Sequence, residues 1–283
     1  MLNIKNIIDV GPGKWFCRNL VRQYYKRVLK KAHAMMLPTG HRMLLPLDSD
    51  FASECFVANA DVDWGSESLL FSNLENRGAF LDIGSHIGYY SLYMLPRVQQ
   101  VYAFEPDPRA RIILEENLYS HDSTQVVPHA VGKSAGILGF VLEDSSAVSH
   151  LASGSAPSMA RTIQVQVVTV DDFVRDQGLL VEAIKIDVEG FDFEVLIGAR
   201  KTLIGQAPLV LTEVRVSREL LSFTASIDYK IYAFCRKTHT RRKQFVRIDQ
   251  PPLDETKMLF LVPDRLWRRF DAQTTNSRRA FRG

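Results

Sequence analysis

Little in this chain is extreme, and most of what is scarce narrows the field. Only three cysteines occur in 283 residues: Cys17, Cys55 and Cys235. They are far apart and form no C-x-x-C pair. That excludes a disulfide-built scaffold and a thiolate zinc site, and it fits a reducing, cytoplasmic setting. The N-terminal MLNIKNIIDVGPG has no apolar leader core. The longest informative uncharged run, residues 83–96, is too short to cross a bilayer and contains Gly, Ser and His. A large charge of one sign is also missing. Lys plus Arg is 35 and Asp plus Glu is 32, a net +3, which speaks against a dedicated nucleic-acid binder. There is no G-x-G-x-x-G fingerprint either.

What is present is an ordinary globular composition, 46% apolar and 24% charged, with length for one large core. The small net charge hides an uneven spread. Residues 1–50 carry nine basic and three acidic side chains, and residues 265–283 carry six Arg and one Asp. By difference, 51–264 hold 20 basic and 28 acidic residues, a body of −8 between two basic ends. The sequence therefore divides into a basic helical extension (1–50), a central domain (51–265) and a basic tail (266–283).

Between Lys14 and Leu37 apolar residues recur in pairs four apart: Trp15/Phe16, Leu20/Val21, Tyr24/Tyr25, Val28/Leu29, then Met35/Met36. Lys14, Arg18, Arg22, Lys26 and Lys30 run beside them. The period predicts one amphipathic helix stopped by Pro38. Two readings stand: a helix packed on its own domain, or a peripheral membrane contact through 14–37. A homodimer interface is also left open.

From residue 79 to 235 strand and helix signals alternate: AFLDIG, GYYSLYML, QVYAFEP, a helix capped by Asp107, TQVVPHAVG, AIKIDVEG, FDFEVLIGARKTL, APLVLTEV and DYKIYAFC, with KMLFLVP beyond. The alternation predicts a largely parallel sheet with both faces covered. Residues 134–168 read as a loop-and-hairpin insert with a Ser-rich centre that includes His150. Ligands of such sheets bind at the carboxyl ends of the strands. Here those ends carry Asp82, Gly84, Glu105, His129, Ala130, Asp187, Glu189 and Glu213. In Asp82-Ile-Gly84-Ser-His86-Ile-Gly88 a strand runs into a Gly-rich turn, which lets backbone approach a ligand closely. Glu105 lies 23 residues after Asp82, where a carboxylate can accept both hydroxyls of a ribose.

FLDIGSHIGYYSL, VYAFEPDP, VPHAVG, TVDDF, IKIDVEGFDFEVLIGA and LTEV occur in order, and with them residues 64–262 resemble the FkbM type of class I S-adenosylmethionine-dependent methyltransferases. The resemblance implies an α/β, Rossmann-like, doubly wound seven-stranded sheet of order 3-2-1-4-5-7-6 with the last strand antiparallel. It implies S-adenosyl-L-methionine as cofactor and methyl transfer to oxygen on a sugar, glycolipid or related metabolite, with no nucleic-acid partner. By position, Asp82, Gly84 and Gly88 would line the methionine end, Glu105 would hold the ribose, and Ala130 and Val131 would sit by the adenine. His86 stands where the family commonly has Asn, and joins both the cofactor set and the spare bases. Glu67, in DWGSES, matches an acidic position that approaches the cofactor. Asp187, Glu189 and Glu213 form the expected catalytic cluster. Asp187 also joins the cofactor set, and it is the first choice for general base, or with Glu213 for a Mg²⁺ ligand set. An NAD-dependent oxidoreductase and a catalytically silent methyltransferase-like protein are the alternatives.

Overall fold

The computed structural model describes residues 7, 9–142, 150–151, 161–236, 243–252 and 254–279. The chain opens with helix α1 (Pro12–Tyr24), continued by a π-helical turn, Tyr25–Leu29. The turn ends at Lys30, whose φ of 49° is left-handed. The helix expected to run to Pro38 therefore stops earlier. Met35 and Met36 belong to a hairpin of β1 (His33–Met36) and β2 (Arg42–Leu45). β-branched and aromatic side chains are not needed there; the hairpin holds because Met35, Leu37, Met43 and Leu45 are buried in the main core.

Helices α2 (Asp50–Ala58) and α3 (Ser66–Asn73) lead into β3 (Ala79–Ile83). Then come α4 (Tyr89–Met94), β4 (Gln100–Phe104), α5 (Pro108–Leu118) and β5 (Thr124–Val127). Asp107 caps α5 as its spacing predicts, accepting from Arg109 N–H at 2.9 Å. The stretch TQVVPHAVG predicts one strand, but Pro128 cannot donate to a ladder. The segment splits into β5 and β6 (Ala130–Val131), which lie in different sheets. The region read as a hairpin insert supplies β7 (Gly136–Leu142), β8 (His150–Leu151) and β9 (Arg161–Val168). With β6 they make a second, four-stranded sheet, order β6-β9-β7-β8. Apart from His150–Leu151, the Ser-rich centre of that insert lies outside the described residues.

Next follow α6 (Val170–Gln177), β10 (Val181–Ile186), α7 (Asp192–Gly198), α8 (Arg200–Gln206), β11 (Leu209–Thr212) and α9 (Arg218–Ala225). The chain closes with β12 (Tyr229–Arg236), β13 (Lys243–Ile248), β14 (Glu255–Pro263) and α10 (Trp267–Arg279). The main sheet is ordered β13-β12-β14-β11-β10-β3-β4-β5. It has eight strands rather than seven. The extra one, β13, comes from the basic stretch between β12 and β14, and Phe245 and Ile248 anchor it in the core. Lys237, Arg241 and Arg242 of that stretch lie outside the described residues. β5, β4, β3, β10 and β11 run parallel, and β14 runs antiparallel to both its neighbours.

Both faces of this sheet are buried, as a parallel sheet requires. Along β3, Phe80 packs into one apolar layer, while Ala79, Leu81 and Ile83 pack into the other. The C-terminal segment expected as a solvated tail instead begins with α10, whose Phe270 is fully buried in the first layer.

Candidate active site

The parallel strands deliver their carboxyl ends to one edge of the sheet, and a cavity of about 380 Å³ opens there. That volume suits a cofactor-sized ligand. At the end of β3, Gly84 has φ +77°, and a side-chain carbon on it would run into the carbonyl oxygen of Asp187. Only glycine lets the tips of β3 and β10 come this close. His86 is also left-handed, with φ 50°. Its backbone N–H is tied to Glu105 Oε2 at 2.8 Å, which helps hold that unusual backbone. The other Glu105 oxygen accepts from Asp107 N–H at 2.8 Å. Burial pushes the Glu105 carboxyl up to about 7, against those two N–H bonds. Burial, with Lys185 nearby, holds His86 down at about 4, so its imidazole is neutral at pH 7.

Across the cavity β10 and β11 pair in parallel, with Ile186 opposite Thr212. Asp187 and Glu213, the next residue of each strand, are therefore neighbours by register. Their carboxyls converge: one ligand atom from each of Asp187, Glu189 and Glu213 falls within 4.8 Å of the others. Lys185 stands beside them, almost fully buried. Its Nζ donates to Gly84 O at 2.7 Å and lies 3.3 Å from Asp187 Oδ2 and 3.7 Å from Asp82 Oδ1. Burial works against a charge on Asp187, but the Lys185 ammonium outweighs it and keeps that carboxyl below its ordinary value. Burial and then the Asp187 charge push Glu213 up. Asp187 is thus the more readily ionised of the two carboxyls and Glu213 the more readily protonated. The Lys185 ammonium, 3.3 Å from Asp187 Oδ2, already supplies a positive charge to that carboxylate and would repel a dication there. These residues do not favour Mg²⁺, and no step below passes through one.

Gly84, His86, Glu105, Ala130, Val131, Asp187, Glu189 and Glu213 all line the cavity. Three other expected site residues do not. Asp82 has the parity of Phe80 and points to the sheet face under α4, where Oδ2 accepts from Ser91 at 2.6 Å. Its other oxygen is buried with no hydrogen bond, facing Lys185. Gly88 starts α4, and a side chain there would meet Leu114 of α5 at 2.9 Å, so it serves helix packing. Glu67 sits behind the wall. Its Oε1 accepts from the N–H groups of Val62 and Asp63, both at 2.7 Å, and from Tyr89 O–H at 3.0 Å.

The loop that Glu67 braces carries a residue the sequence reading passed over. Asp63 accepts from Tyr90 O–H at 2.7 Å and lies 3.5 Å from Lys257 Nζ. Asp63, Tyr90 and Lys257 come from three separate elements and all line the cavity. No spacing rule links them; only the fold brings them together. Asp50, Phe51 and Glu54 of α2 and Phe140 of β7 complete the wall.

The sequence profile of the methyltransferase FkbM domain matches residues 82–237, more than half of the chain and most of the residues that line this cavity. The chain belongs to the FkbM methyltransferase family. The nicotinamide alternative falls with that assignment. No curated protein sequence matches the chain. Among solved structures, it is similar to a methyltransferase FkbM from Methylobacillus flagellatus KT, at 18% identity and TM-score 0.42, over 75% of this chain. It spans 55% of that protein's length. A precorrin-6y C5,15-methyltransferase from Geobacter metallireducens GS-15 is 12% identical with TM-score 0.39, over 72% of this chain and 89% of the other. An rRNA methylase from Streptococcus thermophilus is also 12% identical with TM-score 0.39, over 70% and 93%. Among the described residues no helix is long and apolar enough to cross a membrane.

Proposed function

We propose that this FkbM-family chain is an S-adenosylmethionine-dependent O-methyltransferase acting on a hydroxyl of a sugar, glycolipid or related small molecule. The observation that carries it is the convergence of the Asp187 and Glu213 carboxyls beside Lys185, in the same cavity as Glu105.

The cavity's donor set fits the cofactor. Glu105 has two oxygens that each accept one backbone N–H, which leaves lone pairs for a ribose diol. Phe104, Ala130 and Val131 offer apolar surface for adenine, and Gly84 gives close approach to backbone. When bound, the cofactor supplies a methyl group already activated on a sulfonium. The rest falls to the chain's own residues. Asp187 is ionised and its charge is fixed by Lys185, so it can accept a hydrogen bond from an acceptor hydroxyl and align its oxygen. As that oxygen gains a third bond, to the incoming methyl, its proton becomes strongly acidic, and even a carboxylate of lowered pKa takes it. The proton then leaves the cluster to solvent, which reaches the exposed Glu189 and Glu213.

The wall also bears on the acceptor. Seven carboxyl side chains line the cavity (Asp50, Glu54, Asp63, Glu105, Asp187, Glu189 and Glu213) against two lysines, Lys185 and Lys257. Such a site repels phosphate backbones and suits neutral polyhydroxylated ligands. We take residues 51–265 as the catalytic domain, with the first 50 residues contributing to its core.

Asp187→Asn tests the reading, since it keeps the shape and removes the charge. S-Adenosylhomocysteine affinity by calorimetry should stay within a few-fold, while turnover falls by about 10²–10⁴-fold. Near-normal turnover would remove Asp187 as the base. Activity abolished by EDTA and restored by Mg²⁺ would favour a cation instead. No binding of S-adenosylhomocysteine by the unsubstituted protein would indicate a silent fold.

A further inference from the structure

Helix α1 is mounted inside out. Two of its arginines face the protein. Arg18 Nη1 donates to Val57 O at 3.0 Å. Arg22, only 1% exposed, donates to Leu45 O at 3.4 Å, to Pro46 O, and to Ser53 Oγ at 3.3 Å. Residues four apart share a helix face. The opposite face is therefore Phe16, Leu20 and Tyr24, continued by Val28 in the π turn, and these are 58%, 55%, 51% and 64% exposed. Met36, 61% exposed, also faces outward from β1. A helix held by its arginines, showing its apolar stripe to the outside, is the reverse of a surface helix that exists to cover a core.

Charge identifies what covers this stripe. Residues 10–47 contain eight basic side chains and no acidic one. Lys14, Arg27, Lys30 and Lys31 are exposed around the stripe. We propose that the outer face of α1 and the π turn is a docking surface for an anionic lipid bilayer. The apolar stripe would enter the headgroup boundary while the long basic side chains reach lipid phosphates and carboxylates. A second copy fits poorly, because a two-fold contact sets the same patch against itself and opposes the two basic sets. The acidic body, −8 over residues 51–264, would be repelled by the same lipids, so this face alone would set the orientation. α1 is fastened to α2 through Arg22 and Ser53, and α2 carries Asp50, Phe51 and Glu54 of the cavity wall, so docking would hold the cavity near the interface.

The test uses the full chain in co-sedimentation with vesicles of phosphatidylcholine alone, or with about one third phosphatidylserine, at low and at physiological salt. Binding should appear with the anionic vesicles, weaken with salt, and be at least about tenfold weaker with phosphatidylcholine alone. Leu20→Asp with Val28→Asp, at exposed positions that leave the fold intact, should abolish it. Lys30→Gln with Lys31→Gln should weaken it. Ile112→Asp and Ile204→Asp, at residues 64% and 58% exposed elsewhere on the surface, should leave it unchanged. The proposal is overturned if the unsubstituted chain fails to bind anionic vesicles, or if Leu20→Asp/Val28→Asp binds as well as the parent. It is equally overturned if sedimentation velocity without lipid finds a dimer that these substitutions disperse.

Discussion

Glu105→Gln separates ligand recognition from structure, because two opposing effects nearly cancel in the folded protein and reinforce each other in binding. Each Glu105 oxygen accepts one backbone N–H at 2.8 Å, from His86 and from Asp107. Glutamine offers one acceptor, so one buried N–H would face an amide NH₂, at a cost of roughly 1–3 kcal/mol. Against that, the folded carboxyl is raised to about 7 from an ordinary 4.5. A raised carboxyl contributes stability that is fully present below 4.5 and lost as pH rises through about 7. At pH 8 the ionised form is therefore disfavoured by about 3 kcal/mol, and the neutral amide removes that burden. The melting temperature at pH 8 should change little. Binding has no such offset. The diol loses a charged acceptor worth about 1.5–3 kcal/mol, so S-adenosylhomocysteine should bind roughly 10–100-fold more weakly. The parent protein should also lose affinity as pH falls below 7, approaching tenfold per pH unit, and Glu105→Gln should show a flat profile. Calorimetric titrations between pH 5.5 and 8, with thermal melts in the same buffers, supply both readouts. Affinity within twofold of the parent at pH 8, or an identical pH profile in the two proteins, would refute the diol assignment.

Other expectations follow from the same geometry. Lys185→Met leaves Asp82 and Asp187 without their buried cation and should destabilise the fold by about 3–5 kcal/mol in denaturant unfolding. Gly84→Ala forces a side chain against the Asp187 carbonyl at φ +77°, and a loss of more than about 4 kcal/mol, or no soluble protein, is expected from expression and melting trials. Glu67→Gln breaks part of a three-donor cluster that positions the Asp63 loop. It should raise the acceptor KM while leaving S-adenosylhomocysteine binding within a few-fold. Arg22→Leu removes the side chain that pins α1 to the carbonyls of Leu45 and Pro46 and should cost about 2–4 kcal/mol, read by urea unfolding.

What the chain's sequence settled alone is what depends on short-range chemistry. Alternation of apolar strands with capped helices set the parallel sheet, since each rule acts within a dozen residues: Asp107 before Pro108, glycine where φ must be positive, uncharged runs for strands buried on both faces. The order of the strand-end residues also put Glu105, Asp187 and Glu213 on the candidate list, because carboxyl ends of parallel strands share an edge. Tertiary structure decided the rest. Strand parity turned Asp82 under α4 and away from the cavity, and register set Asp187 against Glu213. Packing ended the N-terminal helix early, because Met35 and Met43 are worth more to the core in a hairpin than on an exposed turn. It also joined Asp63, Tyr90 and Lys257 across the cavity, residues up to 194 positions apart. And it turned the apolar face of α1 outward: periodicity defines the two faces of a helix, but only the carbonyls waiting at Leu45, Pro46 and Val57 decide which one the protein keeps for itself.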